Sequence, residues 1–255
     1  MIRDRVLITR PEPGCAETAA AVAALGWQPV LAPALTLQTR PIVAPRHLQA
    51  ALITSRAAAA GLPMGPPVLA VGEASATAAR LHGHADVRAA DGDAVSLAAL
   101  AARSLDPAAG PILLAVGEGY ALDLATALRA TGFSVLRRIA YAARATPALP
   151  AEAAAALRHG VVGQALFLSP RSATTVMAQM QAAGLTGQVA MIRAIAISPR
   201  VAGVLAELGW AGIAVAARPD HAAVLACLPL RPSPADSAIS GLASPTQSTR
   251  CSAPD

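Results

Sequence analysis

Lysine and asparagine are absent from this chain, so every fixed side-chain cation among its 20 basic residues is an arginine. The absence of lysine excludes a Walker-type phosphate loop, whose lysine meets the terminal phosphates. It also turns recognition toward planar, two-pronged contacts with carboxylate or phosphate. Aromatics are scarce, with two each of Phe, Tyr and Trp. The arginines form no basic run, so the net charge of +5 comes without a platform for stacking bases. Nucleic acid is not expected as a partner. Cys15, Cys227 and Cys251 are an odd number, at spacings that suit neither a disulfide framework nor a zinc site. Five scattered histidines support no Ser-His-Asp triad. Only His82-Gly83-His84 brings two together, without a thiol or carboxylate in metal spacing. No metal is expected. No apolar run approaches the length of a membrane span, and Val6-Leu7-Ile8 behind Arg3 and Arg5 is too short for a signal peptide. A cytoplasmic chain with no membrane partner is expected.

What the chain has instead is a recurring phrase: an apolar strand, a turn of Thr, Ser or Gly, then an Ala-rich helix. It occurs at Val6-Leu7-Ile8-Thr9-Arg10-Pro11, Leu52-Ile53-Thr54-Ser55-Arg56 and Ala70-Val71-Gly72-Glu73-Ala74-Ser75. It returns at Leu113-Leu114-Ala115-Val116-Gly117-Glu118, Phe167-Leu168-Ser169-Pro170-Arg171-Ser172 and Ile197-Ser198-Pro199-Arg200. Each turn falls where a parallel strand's carboxyl end meets a helix N-terminus, the place where open α/β sheets bind ligands. The free N–H groups there favour anions.

The phrase is duplicated in order. A constant offset of 106 residues relates Val6 to Ile112, Glu12 to Glu118, Gly26 to Gly132 and Trp27 to Phe133. A second offset, 126, relates Val71 to Ile197 and Val87 to Ile213. Strand and helix alternate through an A-B-A′-B′ series. The fold class expected is therefore α/β, with two similar domains of mostly parallel sheets flanked by helices. A ligand cleft between the domains is the corresponding expectation. From residue 231 to 255 the chain turns to Pro, Ser, Ala and Thr, and a disordered tail is expected.

Arg10, Arg56, Arg171 and Arg200 each follow a strand in this scheme, at equivalent places of a duplicated fold. Each also has a plain use as a surface or helix-end ion pair. Thr9, Thr54, Ser55, Ser75, Ser169, Ser172 and Ser198 are read as anion-binding hydroxyls, although helix capping employs the same residue types. Gly72 is a candidate through its backbone. Gly117-Glu118-Gly119 opens like a dinucleotide fingerprint but lacks the third glycine, so it is read as a strand-to-helix turn. Tyr141, one of two tyrosines, is a candidate hydrogen-bond donor or a packing residue.

These residues carry a resemblance. Val6-Leu7-Ile8-Thr9-Arg10-Pro11, Thr54-Ser55, Val71-Gly72-Glu73-Ala74-Ser75, Gly92-Asp93-Ala94, Ile139-Ala140-Tyr141, Leu168-Ser169-Pro170-Arg171-Ser172 and Ile197-Ser198-Pro199 together resemble uroporphyrinogen-III synthases, in order and spacing over residues 5–228. The resemblance implies a two-stranded connector, residues 36–41 and 139–145, between two domains. One domain would be discontinuous, 1–35 with 146–230, and the other would span 42–138. It implies the substrate hydroxymethylbilane, a linear polycarboxylate tetrapyrrole, cyclised by dehydration with inversion of ring D. It implies no metal or organic cofactor, and a transient contact with the preceding pathway enzyme is a further expectation. Tyr141 matches the connector tyrosine that assists departure of hydroxide. Thr9, Arg10, Thr54, Ser55, Arg56, Gly72, Ser75, Ser169, Arg171, Ser172, Ser198 and Arg200 are the implied substrate-binding set. Two departures stand out: Arg56-Ala57-Ala58 follows the Thr-Ser turn, and Glu118 replaces a frequent basic residue. Arg56 is the candidate to restore that charge. The competing expectations are a non-catalytic two-domain protein that binds a small polyanion, and a Rossmann-type cofactor enzyme.

Overall fold

Strands buried on both faces read as nearly unbroken aliphatic runs, because each side chain packs against a helix layer whichever way it points. Ala50-Ala51-Leu52-Ile53 and Ile112-Leu113-Leu114-Ala115-Val116 are such runs, and every residue of both is buried. The computed structural model describes residues 3–45 and 47–229. The tail expected over residues 231–255 lies outside the described residues. The chain divides into two compact units, Met1–Leu35 with Ala145–Asp255, and Thr36–Arg144.

Numbered along the chain, the first unit contains β1 (Arg5–Ile8), α1 (Gly14–Ala24) and β2 (Gln28–Leu31). Its later part adds α5 (Ala151–Arg158), β9 (Val162–Phe167), α6 (Pro170–Ala182), β10 (Arg193–Ala196), α7 (Pro199–Leu205), β11 (Gly212–Val215) and α8 (His221–Leu225). The sheet order is β11-β10-β9-β1-β2, parallel throughout. Phe167, the largest fully buried side chain, meets the Trp210 ring edge-on with centroids 5.5 Å apart. Cys15 lies buried beneath β1, and burial, followed by the nearby Glu12 charge, pushes its thiol up to about 11.

The second unit contains β3 (Leu35–Thr39), β4 (Ala50–Ile53), β5 (Val68–Ala70), α2 (Glu73–Leu81), β6 (Val87–Ala89) and α3 (Ala94–Ser104). It continues with β7 (Ile112–Gly117), α4 (Leu122–Ala130) and β8 (Val135–Ala145). Its sheet order is β3-β8-β7-β4-β5-β6, and β8-β7-β4-β5-β6 is parallel. Leu52, Leu114 and Val116 pack one face with Leu97, Leu124 and Leu128, while Ile53, Leu113 and Ala115 pack the other with Ala58, Ala76 and Ala79. Eight of the eleven buried residues in the second face's cluster are alanines, the other three being Ile53, Val68 and Leu113.

Set side by side, the two orders match strand for strand. β2-β1-β9-β10-β11 corresponds to β8-β7-β4-β5-β6, with β3 added at one edge. The A and A′ segments supply the first two strands of each sheet, and B and B′ supply the other three. The chain therefore assembles each sheet from one A-type and one B-type segment.

Boundaries follow local chemistry. Helix α1 runs from Gly14 to Ala24, and Gly26 follows it at φ +78°, a conformation that disfavours any side chain. Asp93 caps α3 through a reciprocal box with Ser96, which holds its carboxyl below the usual range because the Ser96 N–H donates to the ionised form. Asp220 caps α8 by accepting from Ala223 N–H at 2.8 Å. Among the described residues, no helix is long and apolar enough to cross a membrane.

Candidate active site

Parallel strands place all their carboxyl ends on one edge of a sheet, so the turns collected from sequence converge there within each unit. In the second unit the edge carries Ser55 after β4, Gly72 after β5, Asp93 after β6 and Gly117 at the end of β7. β8 runs alongside β7 in register from Ile112↔Val135 to Val116↔Ile139, and then the register shifts so that Gly117 faces Tyr141. That one-residue slip brings the tyrosine to the strand ends.

The phenol of Tyr141 lies over Gly117. A Cβ on Gly117 would stand 2.7 Å from both the Tyr141 ring carbon Cζ and its hydroxyl, so only glycine leaves the ring its place. Ser55 Oγ donates to the Tyr141 hydroxyl oxygen at 3.1 Å. With Ser55 as donor, the phenol's own proton remains available to a third group. Tyr141 is half-buried, between the ladder behind it and solvent in front. Thr54 and Arg56 flank Ser55 and are half-buried, and Arg56-Ala57-Ala58 opens a short 3-10 turn that ends at Gly61.

Gly72 begins α2 with extended backbone, and a Cβ there would press to 3.2 Å from Cα of Gly92. Gly92 N–H donates to the Val71 carbonyl at 2.7 Å, joining the two turns. Ser75 is buried one turn into α2. The Gly117 turn continues through Glu118 and Gly119 to Ala121, whose φ of +58° is costly for a side-chain-bearing residue. Arg137 steadies that turn by donating Nε and Nη2 to the Tyr120 carbonyl at 3.2 and 2.6 Å.

In the first unit, Ser169 caps α6, accepting from Ser172 N–H at 3.0 Å and donating to the Ser172 hydroxyl at 2.9 Å. Ser172 is buried, Arg171 is exposed on the first turn of α6, and Ser198 and Arg200 hold the corresponding places on α7. Arg10 folds back over Gly14 and donates Nη1 to Thr18 Oγ1 at 3.1 Å. Thr18 Oγ1 donates to the Gly14 carbonyl at 2.9 Å and is hydrogen-bonded with His221 Nε2 at 2.9 Å. Arg10 thus sits in a hydrogen-bonded group that reaches α8.

Thr9 is the residue whose side chain the fold uses differently from expectation. It is fully buried, and its hydroxyl donates to the Leu166 carbonyl at 2.7 Å, pinning β1 to β9. Thr9→Val is therefore expected to lower stability by about 1 kcal/mol, the net worth of one buried hydrogen bond. Thermal unfolding checks this, and an unchanged Tm together with impaired turnover would return Thr9 to the ligand.

Two features here were not singled out from sequence. By sequence Gly117 is an ordinary strand-to-helix turn, yet its missing side chain makes room for the phenol. The other is the partnership of Glu118 with arginines outside the strand-end phrase. Neither carries a signal in the sequence, because both depend on the register shift and the strand ends of the folded sheet.

The family described as uroporphyrinogen-III synthase HemD matches residues 16–226, most of the chain. Among curated proteins, none matches. The fold is similar to that of uroporphyrinogen-III synthetase from Helicobacter pylori, at 16% identity and a TM-score of 0.56, covering 88% of this chain and 97% of that one. Uroporphyrinogen III synthase from Thermus thermophilus aligns at 19% identity and a TM-score of 0.39, covering 87% of this chain and 96% of that one. This chain belongs to the uroporphyrinogen-III synthase family, and is an enzyme of tetrapyrrole biosynthesis that acts on a small-molecule substrate.

Proposed function

We propose that this enzyme is a lyase that cyclises hydroxymethylbilane to uroporphyrinogen III, with loss of water and inversion of ring D. The observation that carries the reading is the Tyr141 hydroxyl, held over Gly117 beside Ser55 at the strand ends, where its proton can be given to a ligand.

Tyr141 donates that proton as the terminal C–O bond breaks, so the hydroxyl leaves as water. The pyrrole nitrogen stabilises the cation left behind. The substituted carbon of ring D attacks it to give a spiro intermediate, which fragments and recloses with the ring inverted. The closing ring then gives up a proton, which restores the phenol, so water is the net loss. The substrate supplies most of its own reactivity, and the enzyme's task is to favour the inverting path over direct closure.

Thr54, Ser55, Arg56, Gly72 and Ser75 in one unit, and Arg10, Ser169, Arg171, Ser172, Ser198 and Arg200 in the other, serve that task. Their N–H groups, hydroxyls and guanidiniums suit carboxylates. Thr9 contributes through the backbone of its turn. The mechanism calls on no metal or organic cofactor. The enzyme works as a cytoplasmic monomer and receives its short-lived substrate in transient contact with the enzyme that makes it.

The test supplies freshly made hydroxymethylbilane and separates the oxidised products by chromatography. The inverted isomer is expected in excess. Only the symmetrical isomer, formed at the spontaneous rate, would eliminate the reading.

A further inference from the structure

Glu118 follows directly on Gly117, and its carboxylate lies 3.7 Å from Arg40 Nη2 and 3.4 Å from Arg144 Nη1. Neither arginine belongs to the strand-end phrase. Arg40 stands one residue beyond β3, and Arg144 is the penultimate residue of β8. The backbone fixes this group to the candidate catalytic tyrosine: Glu118 N–H donates to the Tyr141 carbonyl at 3.1 Å, and Arg40 N–H donates to the Ala140 carbonyl at 2.7 Å. Gly61 permits that approach, because a Cβ there would lie 2.8 Å from the Arg40 carbonyl oxygen and 3.0 Å from that of Ala140. The cluster is therefore built into the same corner as the phenol.

Its charge does not balance. Two guanidiniums share one carboxylate, and among the described residues neither arginine has a second acidic partner. The three side chains are 40–46% exposed. Water competes well for ion pairs of this length and exposure, so they are readily exchanged. An incoming carboxylate can take two parallel hydrogen bonds from a guanidinium, a stronger arrangement than these longer contacts.

We propose that Arg40 and Arg144 form a carboxylate subsite beside Tyr141, in which Glu118 stands in for a substrate carboxylate until the substrate displaces it. The inference rests on the reading of the substrate as a polycarboxylate bilane. Glu118 keeps two like charges close together in the free enzyme. It also sets a threshold, since a ligand must offer more than water does to win the arginines. A substrate with many carboxylates meets that threshold; a singly charged metabolite, anchored nowhere else, does not. The acidic residue in a turn otherwise suited to anions thereby acquires a role. Positive charge reaches this turn from β3 and β8 rather than from the turn itself.

The test is steady-state kinetics on fresh hydroxymethylbilane with Arg40→Gln/Arg144→Gln and Glu118→Gln, beside thermal unfolding of each variant. The double arginine variant is expected to raise KM about tenfold, the worth of charge-assisted hydrogen bonds, with a much smaller change in kcat. Glu118→Gln is expected to lower KM, because the competing anion is gone. In the native enzyme KM should climb with ionic strength, and in the double variant it should climb less steeply. An unchanged KM in the folded double variant, or an unchanged or higher KM in Glu118→Gln, overturns the subsite. If the native enzyme instead yields only the symmetrical isomer, the functional reading fails, and that outcome is distinct from either kinetic result.

Discussion

Tyr141→Phe is expected to lower kcat about a hundredfold, within the usual range for loss of a positioned general acid. The variant deletes one oxygen and leaves the ring packed over Gly117. It removes the acceptor for Ser55 Oγ, which in the native enzyme lies 3.1 Å away, and the proton offered to the departing hydroxyl. Activity should not vanish, since the cation formed on C–O cleavage is stabilised by the substrate's own pyrrole. KM should move little, because the substrate's carboxylates are assigned to other groups. Slower catalysis leaves more time for uncatalysed closure, so the symmetrical isomer should rise among the products. Rate and isomer ratio can be read from one chromatogram. A variant that turns over as fast as the native enzyme removes Tyr141 from the mechanism and leaves it a packing residue.

The architecture was legible because it is written twice. The 106-residue offset pairs β1 with β7, and the 126-residue offset pairs β5 with β10 and β6 with β11. Those pairings are the equivalences seen in the two sheet orders. Aliphatic runs such as Leu113-Leu114-Ala115-Val116 marked strands covered on both faces, and the polar residues after them marked the ligand edge. What sequence could not supply was side-chain allocation at that edge. Thr9 and Ser55 sit in matching phrases, yet Thr9 is consumed by the Leu166 carbonyl while Ser55 reaches the phenol. The difference is one of depth: Thr9 is fully buried, and Ser55 is not.

The contacts of Glu118 were equally hidden. They depend on where β3 and β8 end, and neither end carries a sequence signature. Arg56, the sequence-based candidate for restoring charge to that turn, stands beside Ser55, whereas Arg40 and Arg144 are the cations that meet Glu118. Tyr141 itself reaches the strand ends through a register shift between Val116 and Gly117. A slip of one residue decides which face a side chain takes, and no composition records it.

Gly117→Val is expected to reduce kcat at least as far as Tyr141→Phe, with little loss of thermal stability. Gly117 is not among the glycines in the left-handed region, so a β-branched residue meets no backbone penalty at the end of β7. The whole effect therefore comes from crowding. The new Cβ would stand 2.7 Å from Tyr141 Cζ and from the hydroxyl, and the next obstacle, Tyr120 Cδ2, is 3.1 Å away. The phenol is the free end of a side chain, so it yields at small cost to the fold. Having yielded, it no longer meets Ser55, and it presents its proton to the wrong point, where small displacements weigh heavily on catalysis. The milder Gly117→Ala should show the same defect to a lesser degree. Combining it with Tyr141→Phe provides the decisive comparison, since residues that act through one group are not additive. If Gly117 matters by placing the phenol, Gly117→Ala costs much less kcat once the hydroxyl is gone. Equal costs in both backgrounds would mean that the glycine serves the substrate directly, as a surface that a carboxylate or pyrrole must approach closely.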